Sequence, residues 1–167
     1  MKNRLFTRNS TIFFLATITA FTVIISIAMP FFKPTSHAEK LLREFYTAEI
    51  SDLSKLPNDP QQLSELWLKV YGAHMTEEGF ENAMAGRDFI RCVKKSNELK
   101  SDIYPKKILL NKGDEVKDMN GRELHYYNYT VVCQVTGKQV MDMNFYGKLV
   151  LVKSNYQWLV DRIEPEF

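Results

Sequence analysis

Residues 124–152, LHYYNYTVVCQVTGKQVMDMNFYGKLVLV, decide the fold. In the first half, His125, Tyr127, Tyr129, Val131, Cys133 and Val135 occupy alternate positions, with Asn128, Thr130 and Gln134 between them. A period of two sends these sets to opposite faces of a β-strand. Thr136-Gly137-Lys138 reads as a hairpin turn. From Val140 to Val152 the alternation resumes, with Met141, Met143, Phe145, Leu149 and Leu151 set against Asp142, Asn144, Tyr146 and Lys148. The two strands make a long antiparallel pair, apolar on one face and polar on the other.

Downstream of this pair, Ser154-Asn155 turns the chain into a short last strand, Trp158–Ile163. Upstream, Asp88–Lys95 and Ile103–Leu110 read as two more strands, separated by the polar stretch Ser96–Asp102. Lys112–Arg122 carries Gly113, Asp114, Asp118, Asn120 and Gly121 and reads as a charged loop.

Before Gly86 the period is helical. Ala38, Leu41, Leu42, Phe45, Tyr46 and Ile50 follow the i, i+3, i+4 spacing of one helical face. A second helix opens at Asp59-Pro60-Gln61-Gln62, a capping residue followed by proline at the first helical position. It carries the stripe Leu63, Leu66, Trp67, Val70 and Tyr71. Thr76 caps a third, short helix, with Glu77 and Glu78 at the positive end of its dipole and Gly86 as its stop. About three helices followed by bent antiparallel strands predict an α+β domain.

The N-terminus has a different character. Residues 9–32 contain no charged side chain, and the 18 residues from Ile12 to Met29 would rise about 27 Å as a helix, close to a bilayer's hydrocarbon thickness. Lys2, Arg4 and Arg8 precede the segment, which puts residues 1–8 in the cytoplasm and everything after the segment on the far side. Ser36-His37-Ala38 has the small-x-small form of a signal-peptidase site. Two outcomes stay open: an uncleaved single-pass anchor, which is the preferred reading, or a form secreted after cleavage at Ala38. The organisation expected is therefore a cytoplasmic tail (1–8), a membrane helix or signal segment (9–32), a linker (33–38) and an extracytoplasmic domain (39–167).

The net charge of +2 divides along the same boundary. No Asp or Glu precedes Glu39, so residues 39–167 hold 18 basic and 20 acidic side chains. A mildly acidic body argues against nucleic-acid binding, which needs clustered Lys and Arg. An apolar content of 45% excludes wholesale disorder, and two cysteines are too few for a disulfide scaffold.

LLREFYTAEI, the pair WLKVYGAHMTEEGFENAM, the long hairpin and the terminal WLVDRIEPEF together resemble the NTF2-like (cystatin-like cone) superfamily. The resemblance spans most of residues 38–167. It implies helices packed into the concave face of a bent sheet, in a cone that holds a ligand in some relatives and serves binding or assembly in others. Relatives with a single N-terminal membrane helix include inner-membrane assembly factors of type IV secretion and conjugation.

Catalytic patterns are absent: no GxSxG, P-loop, GxGxxG or HExxH occurs, and no cofactor is expected. His37, His74, His125, Cys92 and Cys133 lie far apart in sequence, so no metal site is expected. Cys92 and Cys133 are read as buried thiols rather than a disulfide. The residues proposed to line a cone pocket are His125, Tyr127, Tyr129, Trp67, Tyr71 and Met143. His125 would act as base and a tyrosine hydroxyl as oxyanion support, but neither Asp142 nor Asp161 falls on the His125 side to complete the set. The expected function is a non-catalytic extracytoplasmic binding or assembly module. It would be held at the membrane through residues 9–32 and would use its sheet face for a protein partner or a second copy. The alternative is a small enzyme or ligand carrier with a pocket around His125.

Overall fold

A computed structural model describes residues 34–154 and 156–166. The expected tail (1–8) and membrane segment (9–32) lie outside the described residues, and no described helix is long and apolar enough to cross a membrane. Five α-helices precede four strands among the described residues: α1 (Ser36–Phe45), α2 (Asp52–Lys55), α3 (Pro60–Tyr71), α4 (Glu77–Ala85), α5 (Arg91–Leu99), β1 (Asp102–Lys117), β2 (Glu123–Thr136), β3 (Val140–Ser154) and β4 (Gln157–Glu166). The strands form one antiparallel meander in the order β1-β2-β3-β4. The α+β class read from the sequence is the class observed.

The alternation in residues 124–152 predicts the buried face well. His125, Tyr127, Tyr129, Val131, Cys133 and Val135 are all buried, as are Phe145, Leu149 and Leu151 opposite them on β3. Met141 shares that face but stays exposed near the hairpin end. β1 carries register shifts at Pro105–Lys107 and Lys112–Glu115, and such bulges bend a sheet.

Helix α1 begins at Ser36, inside the stretch read as linker, and buries Ala38, Leu41, Leu42 and Phe45 almost completely. It ends at Phe45 instead of running to Ile50. Ala48 leaves the helix to exchange backbone hydrogen bonds with Ile103 of β1, at 3.0 and 2.8 Å. The caps read from sequence are present: Asp59 accepts from the Gln62 N–H at 2.9 Å, and Thr76 Oγ accepts from the Gly79 N–H at 3.0 Å.

Helix α4 docks on a bulge in β4. Val150 pairs with Arg162 and Leu151 with Val160, so Asp161 is the extra residue. There the Thr76 hydroxyl donates to Asp161 at 2.9 Å and the Thr76 N–H to the Val160 carbonyl at 3.0 Å.

Two sequence-based assignments are corrected. Asp88–Lys95 is not a strand: Asp88–Ile90 forms a 3-10 turn that runs into α5. Besides Asp88, the buried positions there are Phe89, Cys92, Val93 and Ser96, a helical i, i+3, i+4, i+7 set whose last member is polar. Lys112–Lys117 is strand rather than loop. As the end of an edge strand it needs no apolar face, and it is exposed throughout. The turn itself is short. Asp118 Oδ1 accepts from the N–H groups of Asn120 and Arg122, both at 2.8 Å, and Gly121 takes φ 76°.

Candidate functional site

His125 is the centre of the most strongly polar cluster that the strands bring against the core. It lies near the start of β2, opposite Glu115 of β1 and Leu151 of β3. Glu123 precedes it by two residues and so shares its face of the strand. The His125 Nε2 lies 2.9 Å from Glu123 Oε1 and 3.2 Å from Glu115 Oε1. Ionised carboxylates only accept hydrogen bonds, so Nε2 carries the proton and donates. Lys112 forms an ion pair with Glu115, and this lysine, followed by the nearby imidazole, holds the Glu115 carboxyl below its usual range. The Trp158 ring of β4 covers the imidazole, with centroids 4.1 Å apart.

This cluster supplies the carboxylate that Asp142 and Asp161 could not. Glu123 was accessible to sequence reasoning, because the alternation that sorts β2 into faces also puts residues 123 and 125 together. Glu115 was hidden by the reading of its segment as a loop. Chemically, the arrangement fixes the tautomer and orientation of an imidazole. The remaining nitrogen, Nδ1, is buried without a hydrogen-bond partner, and the residue is 5% exposed. A base needs an approach path for the proton it takes, and Trp158 stands against this ring.

The other residues proposed for a pocket do not converge on His125. Tyr127, the next inward residue, is buried, and burial raises its hydroxyl pKa. Tyr129 sits deeper, where its hydroxyl meets that of Tyr46 at 3.0 Å. Met143 pairs with Cys133, eight residues along β2 from His125, or about 27 Å of strand. Trp67 and Tyr71 belong to the helical layer. They stack on each other at 5.7 Å, and Tyr71 stacks on Phe89 at 4.4 Å.

Open grooves flank Trp67 on both sides. One, of about 490 Å³, lies between α1, α2 and α3 beside Tyr71, Leu56, Leu66 and Val70, with Arg43 and Lys55 at its rim. The second, of about 380 Å³, runs past Leu63, Met84, Phe89 and Lys94. His125, Tyr127, Tyr129 and Met143 line neither groove. Cys92 and Cys133 are buried free thiols; burial pushes Cys133 up to about 12 and raises Cys92 as well. Among the described residues no group of three or more His, Cys, Asp or Glu side chains is placed to hold a metal ion.

Helices layered on one face of a four-stranded antiparallel meander, with the polar residues on the face turned away, define this as an α+β sheet-and-helix domain. Comparison with solved structures shows the same arrangement in a periplasmic fragment of TraM. The TM-score is 0.50 at 10% sequence identity, over 79% of this chain and 93% of that one. This is a likeness of fold. No family model matches the chain, and no curated protein matches it.

Proposed function

We propose that the chain is a membrane-anchored extracytoplasmic assembly module of a bacterial envelope system, of the kind used in secretion or conjugation, built on a divergent NTF2-like domain. The observation that carries this reading is the filled interior. Tyr46, Tyr129, Phe45 and Leu41 are each at most 2% exposed and belong to one continuous hydrophobic core built from helix and sheet residues. A domain with its centre packed acts through its surface, and here that surface includes the grooves on either side of Trp67 and the outer face of the sheet.

Two further features support the address. The charge-free segment 9–32 with basic residues before it is the pattern of a single-pass anchor with its N-terminus in the cytoplasm. The fold likeness is to a fragment described as periplasmic. Helix α1 begins four residues after that segment and is packed into the core through Ala38, so an uncleaved chain would join anchor and domain with almost no slack.

The test is to express the full-length chain with a C-terminal tag in a bacterium. Fractionation should find it in the membrane, and protease added to spheroplasts should digest the domain. A tag protected in intact spheroplasts and released only by lysis would overturn the topology. Photo-crosslinkers at Leu66 and Tyr126 should then trap a protein partner or a second copy, and products confined to free chain would overturn the assembly role.

A further inference from the structure

The tertiary fold brings together two histidines that lie 37 positions apart. His37 in the first turn of α1 and His74 in the 3-10 turn after α3 face each other through their Nδ1 atoms at 3.1 Å, with ring centroids 5.3 Å apart. We infer that His37 and His74 form a two-histidine site for a zinc-class divalent cation, clamping the first helix of the domain onto the turn that follows α3.

The geometry suits such an ion. Zinc binds imidazole nitrogen at about 2.0–2.1 Å, and two ligands on a tetrahedral ion then stand about 3.3 Å apart. The observed spacing falls short of that by about 0.2 Å, within the reach of a small rotation of either ring. A carboxylate also stands nearby: Glu44 Oε2 lies 3.7 Å from His74 Nε2, beyond hydrogen-bond distance but close enough to reach it with a small side-chain movement. A ligating histidine commonly gives its outer N–H to a carboxylate, which turns the other nitrogen's lone pair toward the metal. Without an ion, one proton between the two Nδ1 atoms satisfies both. With an ion, His37 takes the tautomer that carries its proton on Nε2, and both Nδ1 lone pairs ligate.

The electrostatics do not oppose this. Burial lowers the pKa of both rings, followed at His37 by the neighbouring His74 and then Lys40, against a backbone hydrogen bond to Ala73, and at His74 by Lys40; the shift favours the neutral form that ligates. Glu44 lies close enough to Lys40 to offset its charge. Water completes the coordination, since two protein ligands are all that the described residues bring to this point. An affinity set by two ligands is correspondingly modest, and the effect to look for is on the attachment of α1.

The full-length chain is titrated with zinc chloride by calorimetry. One zinc per chain is expected, with a higher melting temperature in its presence. His37→Ala and His74→Ala should each weaken binding by at least the 10–100-fold typical of lost outer-shell partners, while His125→Ala leaves it unchanged. Because either variant could disturb α1, the unsubstituted chain is also loaded with Cu²⁺ and its paramagnetic resonance recorded, where two imidazole nitrogens are expected. No binding at millimolar zinc, binding retained in both histidine variants, binding lost with His125→Ala, or fewer than two imidazole nitrogens on copper would each overturn the site.

Discussion

The hydroxyl oxygens of Tyr46 and Tyr129 meet 3.0 Å apart in the core, tying the residue that follows α1 to the middle of β2 across 83 positions of sequence. Both residues are at most 2% exposed, and their rings meet edge to face at 6.1 Å. Burial raises both hydroxyl pKa values, so the pair is neutral and one phenol donates to the other.

Replacing Tyr46 by Phe leaves the Tyr129 hydroxyl buried without that partner, at a cost of about 1–3 kcal/mol. Replacing both tyrosines by Phe removes donor and acceptor together and is expected to cost less than the sum of the single changes. Urea unfolding of the two single variants and the double variant measures this coupling. Additive losses would mean that the two hydroxyls do not interact.

Gly79 of α4 is required by a close approach rather than by its backbone angles. A Cβ there would stand 2.5 Å from the Asp161 carbonyl oxygen and 2.9 Å from that of Val160. Gly79→Ala must therefore push α4 off the β4 bulge, with an expected loss of about 1–3 kcal/mol despite alanine's better helix propensity. Gly121→Ala meets nothing within 4 Å but keeps a φ of 76°, so its cost is confined to backbone strain. Thermal melts of the two variants should rank Gly79→Ala as the more damaging.

The thiols should be chemically silent in the folded protein. Mass is expected to be the same with and without reductant, and a thiol reagent at pH 8 should label Cys92 and Cys133 only after denaturant is added. The raised thiol pKa values also fix a sign. In the unfolded chain a cysteine releases its proton near pH 9, while Cys133 in the fold holds its proton to about 12. In that window the native state binds more protons, so stability falls as pH rises. Denaturation between pH 8 and 11 should show the decline, and Cys133→Ala should reduce its slope.

His125→Ala removes the imidazole between Trp158 and the two glutamates, leaving Glu115 and Glu123 with less to separate their charges. Stability should fall by about 0.5–3 kcal/mol, and Trp158 fluorescence should change as the ring against it is lost. His125→Gln restores a donor and should recover part of the loss. Unchanged stability and fluorescence in His125→Ala would contradict the packing role derived from the geometry.

The hairpin of residues 124–152 was legible because it is half-buried: a core on one side and water on the other impose a period of two that survives in a single sequence. The caps at Asp59 and Thr76 were legible for a similar reason, since each acts within one helical turn. Asp88–Lys95 misled because Phe89 and Val93 share one face in either period over so short a run; Cys92 fits only the helical one, and the next inward position is filled by the polar Ser96, whose hydroxyl donates to the Ser101 carbonyl at 2.7 Å. Glu115 was missed because an edge strand carries no apolar signature.

By itself, the sequence determined the α+β order of elements, the buried face of the long hairpin and the charge-free N-terminal segment, because each is written in neighbouring residues or in a short period. Only the tertiary structure decided which distant side chains meet: Tyr46 with Tyr129, Glu115 with His125, and His37 with His74. Those meetings depend on strand register and on where the helices settle against the sheet. Register and docking follow from how the whole core packs, and no local pattern carries that information.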